Sequence, residues 1–285
     1  MIEITFPDGS KKEYPEGVTP YEVARSISEG LARNVISASA DGKTIEVTTP
    51  LTANTSLVLY TWDDEAGKRA FWHSSAHVLA QAILRFYPDA KLTIGPAIEN
   101  GFYYDFSYTR AFTPEDLKAI EARMDELVKK NIPIVREEMP REEAIDFFKA
   151  LGEHYKAEII SSIPAGEVIS LYRQGDFVDL CRGPHVPSTG CLKVHHLMKV
   201  AGAYWRGDSS RQQLQRIYGV AFPNKEELET YLKEREDALK RDHNKLGREL
   251  EYFTTVDCIG QGLPILLPKG ARVIQLLQRW VEDVE

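Results

Sequence analysis

The sequence predicts an α+β fold built from two domains and a charged helical segment. Short strand-like stretches separated by turn signals fill residues 1–61, and helical and strand-like stretches are mixed over residues 63–223. A segment rich in Glu, Lys and Arg covers residues 224–246, and residues 247–285 are too few to form a domain by themselves. A chain of 285 residues is long enough to bury a sizeable core in each domain.

Composition and charge argue against several classes of protein. The net charge is −8, whereas a protein that binds nucleic acid indiscriminately is usually basic. No stretch approaches eighteen uninterrupted apolar residues, and the N-terminus has no basic segment followed by an apolar run. We therefore expect neither a membrane span nor a signal peptide. Three cysteines give no disulfide framework, which indicates a cytoplasmic protein.

Residues 1–61 carry the pattern of a small β-rich domain. Ile2, Ile4 and Phe6 alternate with polar residues, as in a half-buried strand, and residues 7–10 are a turn signal. A helix should begin at Pro20, after a threonine cap, and end near Ser28. The remaining strands are predicted at residues 12–14, 36–40, 45–47 and 57–60. This order suggests a β-grasp-like domain, although an arbitrary α+β domain of the same size fits the pattern as well.

The second domain should begin after a polar, glycine-containing boundary at residues 62–68. Apolar residues at helical spacing predict a helix over residues 70–86, and Thr113 can cap a helix that ends near Lys130. The other predicted elements are a helix at residues 141–151 and strands at residues 168–172, 177–180 and 215–222. After the second domain, Asn224 can cap a solvated linker helix to about Leu246, and a short amphipathic helix should follow from Ala271.

Two pairs of residues carry the candidate chemistry. His73 and His77 are four apart on a predicted helix, so both imidazoles can share one face. Cys181 and His185 are also four apart, but Pro184 favours a loop there. Each pair alone is more often structural than functional. Together they supply three imidazoles and one thiol, which suits a hydrolytic site with or without tetrahedral zinc.

Blocks of sequence resemble a known family. The block Asp179–His185 and the motif His73–His77 are similar to the editing domain of bacterial threonyl-tRNA synthetases, and residues 1–61 resemble the TGS domain of that family. The further matching blocks are Gly95–Pro96, Asn100–Asp105, Tyr155–Lys156, Gly202–Asp208 and Gln215–Gly219. The resemblance covers nearly the whole chain in the order and spacing of the family, so it implies the N-terminal part of such an enzyme, ending early in a class II aminoacylation domain at residues 247–285.

The resemblance implies hydrolysis of mischarged seryl-tRNA(Thr), and assigns roles to seven residues. His73, His77, Lys156, Cys181 and His185 are the candidate catalytic residues, with His73 and Lys156 best suited to orient or activate water. Tyr104 and Asp179 are the candidate substrate-binding residues, because a carboxylate can receive the serine ammonium. Cys181 ranks low as a nucleophile because an ester is already reactive.

The same resemblance sets the expected cofactors and partners. It implies metal-free editing, although zinc at His73, His77, Cys181 and His185 stays an alternative because similar alanyl-tRNA editing domains use such a set. ATP, Mg and the threonine-reading zinc belong to the aminoacylation domain, so we expect no aminoacylation from these 285 residues. The implied partner is tRNA(Thr), especially its aminoacylated 3′ end. The implied parent enzyme is a homodimer, and the fragment's own oligomeric state stays open, a monomer included.

A basic run lies between residues 193 and 216. It has five basic residues against one acidic residue, a net charge of +4 in an acidic chain. An ordinary charged face is the commoner explanation. The family interpretation is a surface that guides tRNA through phosphate contacts, with Lys193, Lys199, Arg206 and Arg211 as candidates.

Two other functions fit the sequence. One is a zinc-dependent hydrolase that edits alanyl- or seryl-tRNA in trans, which metal dependence and tRNA preference would reveal. The other is a non-catalytic tRNA-binding module, which would bind without turnover. An inactive structural fragment, which lacks the domains that anchor tRNA, also stays open.

Overall fold

The computed structural model describes residues 1–260 and 262–285, and its mixture of helices and separate sheets is the predicted α+β fold. The chain forms two compact units, Met1–Lys225 and Glu226–Glu285, which are described separately.

The first domain within Met1–Lys225 is built on a five-stranded sheet. Its elements are β1 (Ile2–Thr5), β2 (Lys11–Tyr14), α1 (Pro20–Ile27), α2 (Glu29–Asn34), β3 (Ser37–Ala40), β4 (Lys43–Ile45) and β5 (Thr55–Tyr60). The strand order is β2-β1-β5-β3-β4, with β1 and β5 parallel and the other neighbours antiparallel. Ile4, Val23 and Leu57 are fully buried between the sheet and α1. The predicted β-grasp-like arrangement is confirmed.

Helix α1 begins as its sequence predicts. Thr19 accepts a hydrogen bond from the Glu22 N–H, the Glu22 carboxylate accepts one from the Thr19 N–H, and Pro20 occupies the first turn. The predicted strand at residues 45–47 is wrong at its second half, because β4 ends at Ile45. The Val47 carbonyl accepts the Tyr21 N–H instead of pairing with a strand, and residues 46–49 form a turn.

The second domain surrounds one long helix, α3. The elements of this domain are α3 (Glu65–Phe86), β6 (Lys91–Leu92), β7 (Ala97–Ile98), β8 (Gly101–Ser107), α4 (Pro114–Lys130), β9 (Ile134–Met139), α5 (Arg141–Ala150), α6 (His154–Ser162), β10 (Ile169–Gln174), β11 (Phe177–Leu180), β12 (Val194–Tyr204) and β13 (Gln213–Phe222). One sheet has the order β12-β13-β8-β6 with β7 paired to β8, and the other has the order β11-β10-β9.

Helix α3 is the centre of the larger core. Most of its residues are buried, and they lie on every face of the helix, which is typical of a helix enclosed by other elements. It begins at Glu65, five residues before the predicted start. Gly67 packs so closely on the Thr61 carbonyl that any side chain there would clash with it, so part of the predicted boundary stretch is folded into the helix.

The unit Glu226–Glu285 is mostly helical. Its elements are α7 (Lys225–Lys240), α8 (His243–Glu249), β14 (Phe253–Thr254), β15 (Ile265–Leu266) and α9 (Pro268–Val284). The predicted single helix to Leu246 is therefore two helices, because α8 begins at His243 after its own cap, Asp242, whose carboxylate accepts a hydrogen bond from the Lys245 N–H. Across the part of the chain that the structure describes, helices are too short or too polar to cross a lipid bilayer.

Candidate active site

A cavity of about 710 Å³ lies beside α3, α6 and the β10–β11 hairpin. The chemistry-bearing residues in its wall are His73, His77, Lys156, Asp179 and Cys181. Tyr104 and His185 contact these residues from the protein interior. The structure thus brings together all seven residues that the sequence analysis singled out for catalysis and substrate binding.

Three imidazoles pack against one another on one face of α3. The ring centroids of His73 and His77, one turn apart, are separated by 5.1 Å. The ring of His185 lies 4.6 Å from the ring of His73 and 4.4 Å from that of His77. Ser74, also on α3, fixes His185 through a hydroxyl 3.1 Å from Nδ1. A serine beside a histidine pair is a weak sequence signal, so the role of Ser74 emerges only from the structure.

The loop after β11 brings the thiol to these rings. Cys181 Sγ lies 3.3 Å from His73 Nε2 and 3.2 Å from His185 Nε2. The Gly183 N–H donates to the same sulfur over 3.2 Å. Gly183 has a φ of +73°, a conformation that glycine adopts at little cost, and a side chain there would collide with the Tyr172 hydroxyl. The Gly-Pro sequence predicted a loop, and the structure has one.

A buried charged network forms the other half of the site. Asp179, at the end of β11, forms an ion pair with Lys156 of α6, with 2.5 Å between Oδ1 and Nζ. The Tyr104 hydroxyl donates to Asp179 Oδ2 over 2.7 Å, and His77 Nδ1 lies 3.4 Å from the same oxygen. Both charged side chains are at most 3% exposed. The cost of removing two charges from water must be offset by further hydrogen bonds, so the contacts with Tyr104 and His77 stabilise the buried pair.

Burial keeps the imidazoles and the thiol uncharged. Burial lowers the pKa of His73 to about 4, and it lowers the pKa of His77 and His185 well below the ordinary histidine value, helped by the neighbouring rings. Burial also raises the pKa of Cys181 to about 12. Near neutral pH the site therefore holds neutral imidazoles that can accept a proton and a protonated thiol that is a poor nucleophile.

The four residues His73, His77, Cys181 and His185 can also hold a metal ion. Their ligand atoms all lie within 4.8 Å of one another. A tetrahedral zinc with bonds of about 2.1 Å to nitrogen and 2.3 Å to sulfur separates neighbouring ligand atoms by about 3.5 Å. The two distances from Cys181 Sγ to imidazole nitrogens, 3.2 and 3.3 Å, are close to this separation between ligand atoms. The donor set fits zinc once the thiol loses its proton.

The candidate tRNA-binding residues lie outside the cavity wall. Arg206 and Arg211 both pair with Glu158 of α6, at 3.5 and 3.1 Å. Lys199 stacks over the Tyr218 ring, and Lys193 lines a second cavity of about 560 Å³. The structure does not bring these four residues together with the seven at the site.

Sequence reasoning missed several residues around the cavity. Thr44 of the β-grasp domain lines it, and Glu46 of the same domain contacts Tyr172 beside it. Arg69, one turn before His73 on α3, also lies in its wall. Glu153 is buried and accepts a hydrogen bond from the Leu92 N–H, and burial raises its pKa. None of these residues stands in a local pattern that differs from an ordinary surface.

Comparisons with known proteins define the class of protein. The family model for the TGS domain matches residues 2–61, and the model for the threonyl and alanyl tRNA synthetase second additional domain matches residues 169–218. The second match includes Asp179, Cys181 and His185 of the cavity. The fold and these domains define an aminoacyl-tRNA-synthetase type of protein.

Relatives narrow the class to one family. The chain is 50% identical over 285 residues to the threonine–tRNA ligase of Geobacillus kaustophilus, covering all of this chain and 44% of that protein. It is 53% identical over 284 residues to the threonine–tRNA ligase of Polaromonas sp. strain JS666 and 54% identical over 284 residues to that of Acidovorax sp. strain JS42. Each alignment covers all of this chain and 45% or 44% of the relative, respectively. The chain belongs to the threonine–tRNA ligase family and spans a little under half the length of these relatives.

Proposed function

We propose that the cavity hydrolyses the ester bond of seryl-tRNA(Thr). The single observation that carries the proposal is the juxtaposition, on one cavity wall, of neutral imidazoles and a buried Lys156–Asp179 ion pair. Neutral imidazoles can take a proton from water. The carboxylate of the ion pair can bind an ammonium group, and its lysine can stabilise negative charge on a polarised carbonyl. Membership of the threonine–tRNA ligase family supports the choice of substrate.

A threonine-specific enzyme needs such a site for a physical reason. Serine is threonine without one methyl group, and a methyl contact provides only about 1–3 kcal/mol of discrimination. A pocket that accepts threonine therefore also accepts serine at a damaging rate. A second site that hydrolyses seryl-tRNA, and is too tight for the methyl group of threonine, corrects the error. Ligation of threonine to tRNA(Thr) with ATP is the activity we propose for the whole enzyme.

The proposed reaction needs one water and one base. His73, partly open to the cavity, takes a proton from a water molecule whose oxygen attacks the carbonyl carbon of the ester. The bond between that carbon and the ribose oxygen breaks, and the proton on the imidazole passes to the leaving ribose oxygen. The products are free serine and tRNA with its terminal hydroxyl restored.

The remaining residues hold the substrate and the base. Asp179 receives the serine ammonium, and Lys156 stabilises the negative charge that develops on the carbonyl oxygen. Tyr104 is fully buried, and its hydroxyl orients Asp179 for this contact. His77 and Cys181 complete the wall around His73, and His185 packs against all three from the interior.

The test compares two substrates. Purified protein is incubated with seryl-tRNA(Thr) or threonyl-tRNA(Thr), and loss of the amino acid is followed. We expect faster loss of serine, and a fall to background in His73→Ala. Arg85→Ala, at the far end of α3, is the matched control and should retain full activity. Loss of both amino acids at the uncatalysed rate, even at high protein concentration, would contradict the proposal and favour a non-catalytic tRNA-binding module.

Zinc-dependent hydrolysis is a second candidate, favoured by the fit of the His73, His77, Cys181 and His185 ligand atoms to a tetrahedral ion. These residues would hold the ion, which would polarise water or the carbonyl when bound. We favour the metal-free reaction because the Lys156–Asp179 pair already supplies the charges. Elemental analysis and activity after chelation separate the two. Activity that persists with substoichiometric zinc supports the metal-free reaction, and activity that returns only with one zinc per chain overturns it.

A further inference from the structure

Glu46 belongs to the β-grasp domain but contacts the candidate active site of the neighbouring domain. Its Oε1 accepts a hydrogen bond from the Tyr172 hydroxyl, and its Oε2 accepts one from the Thr49 hydroxyl over 3.2 Å. Both domains lie within the compact unit Met1–Lys225. The carboxylate therefore has one oxygen committed to its own domain and one to the site.

The backbone that carries Glu46 is held firmly. The next residue, Val47, is fully buried in a small core with Ala24 and Ala32, and its carbonyl accepts the Tyr21 N–H over 2.9 Å. The Thr49 N–H donates to the Glu46 carbonyl over 3.1 Å and closes the turn. A carboxylate on a turn anchored in this way has a defined position relative to the β-grasp core.

Tyr172 links this carboxylate to the reacting groups. It lies on β10 directly opposite Asp179 of β11, and residues in such a cross-strand pair contact each other. Its ring centroid is 4.3 Å from that of His185, and its side chain is 2% exposed. Moving Tyr172 would therefore disturb both the carboxylate and one imidazole of the site.

The loop after β11 is packed against the same pair of residues. A side chain at Gly183 would approach the Tyr172 hydroxyl to 1.9 Å and Glu46 Oε1 to 2.6 Å. The Gly183 N–H donates to Cys181 Sγ, so the position of the loop also fixes the thiol. Glu46 and Tyr172 together form the surface on which the Cys181–His185 loop rests.

We propose that Glu46 is a positioning residue, through which the β-grasp domain holds Tyr172 and the Cys181–His185 loop in the geometry that deacylation requires. This proposal rests on the proposed function for its activity readout only. It gives the β-grasp domain a role in the active site itself, in addition to any contact with tRNA.

The first experiment measures deacylation of seryl-tRNA(Thr) by Glu46→Ala, Glu46→Gln and the control Glu13→Ala, an exposed glutamate on β2. We expect kcat to fall about tenfold in Glu46→Ala with KM changed less than about twofold. The reason is that Tyr172 and the Cys181–His185 loop are displaced while no substrate contact is lost. Glu46→Gln keeps an oxygen acceptor for the Tyr172 hydroxyl and should restore most of kcat. Tyr172→Phe should lower kcat to a similar degree, and adding it to Glu46→Ala should cost little more.

The second experiment needs no turnover. Cys181 is buried whereas Cys191 and Cys258 are exposed, so the alkylation of Cys181 by iodoacetamide reports opening of its loop and the other two thiols serve as internal standards. We expect alkylation of Cys181 to be several-fold faster in Glu46→Ala than in the wild type, and unchanged in Glu13→Ala. Unchanged kcat together with unchanged Cys181 alkylation in Glu46→Ala would overturn the proposal. If the wild type does not deacylate at all, the proposed function fails while the alkylation rates still decide the role of Glu46.

Discussion

At the scale of single residues, the site depends on charged and neutral groups that are largely buried in the wall of the cavity. The Lys156–Asp179 pair is buried, and its attraction is balanced against the cost of removing both ions from water. The three imidazoles stay neutral for the same reason, since a buried imidazolium is costly. The burial that keeps the imidazoles neutral thus also makes the Lys156–Asp179 pair sensitive to the loss of one partner.

Replacing one member of the ion pair should destabilise the fold. Asp179→Asn leaves the Lys156 cation buried without its counter-ion, and we expect a loss of about 3–5 kcal/mol in the free energy of unfolding. The double variant Lys156→Met with Asp179→Leu should recover most of that loss, because neither charge remains. Urea unfolding measures both. Glu138→Gln, which breaks an exposed pair with Arg136, is the control and should cost less than about 1 kcal/mol. A single variant as stable as the wild type would contradict this account.

The histidines should make stability depend on pH. The folded-state pKa of His73, about 4, lies below the unfolded value of about 6.5, so the unfolded chain binds more protons between these limits. The stabilisation is complete above pH 6.5 and is lost progressively as the pH falls towards 4, by at most about 1.4 kcal/mol per pH unit for this residue. His73→Asn should therefore lose less stability than the wild type over that range. Parallel pH profiles of the two proteins in urea unfolding would refute the prediction.

At the scale of elements, the site is assembled where two helices, a hairpin and a strand meet. Helix α3 supplies His73 and His77, the β10–β11 hairpin supplies Asp179, and α6 supplies Lys156 in its first turn. Strand β8 adds Tyr104 from a face on which Phe102 and Phe106 are also fully buried. The stretch before β7 closes over this strand at Gly95, which lies against the Tyr104 ring.

Gly95 should be intolerant of even a methyl group. A Cβ at this position would lie 2.2 Å from the Tyr104 ring, which cannot move away because it is enclosed. We expect Gly95→Ala to lower stability by about 1–3 kcal/mol and to reduce deacylation by displacing the hydroxyl from Asp179. Gly202→Ala on β12 is the matched control, since its Cβ would meet no atom closer than 3.4 Å. Equal thermal stability of the two variants would show that the stretch around Gly95 can move away from Tyr104 without destabilising the fold.

The sequence predicts elements with strong local signals and misses those defined by their partners. The helix α4 has a threonine cap, and the strand at residues 177–180 has the bounds predicted for it. Strand β12 was missed because its polar and basic residues lack a clear alternation, and its pairing with β13 holds it in place. Helix α6 was also missed, because it is only nine residues long and has no capping side chain.

The same distinction applies to the site. The spacing of His73 and His77 is enough to put both imidazoles on one face of a helix. Their convergence with Cys181 and His185 depends on a hairpin about a hundred residues away, and family resemblance, not spacing, suggested it. Glu46 has no local signal at all, since only the packing of two domains brings it to Tyr172.

At the scale of the whole molecule, the proposed function requires an acidic chain to bind an acidic substrate. The net charge is −8, yet the stretch from residue 193 to residue 216 carries a net +4. Two of its cations are held on α6, the helix that carries Lys156: Arg206 and Arg211 pair with Glu158, and Arg206 also donates to the Ser162 hydroxyl. If tRNA follows this basic stretch, α6 connects the surface that binds phosphates to the wall of the cavity.

The salt dependence of tRNA binding decides whether these arginines contact phosphates. Each phosphate contact contributes about 0.7–0.9 to the slope of log K against log salt concentration, because counter-ions are released. Removing both side chains in Arg206→Ala with Arg211→Ala should therefore lower the slope by up to about 1.4–1.8. Lys129→Ala with Lys130→Ala removes the same charge from the exposed end of α4 and should leave the slope unchanged. A slope that falls equally in both double variants would mean that only net charge matters, and one that falls in neither would mean that tRNA approaches the cavity by another face.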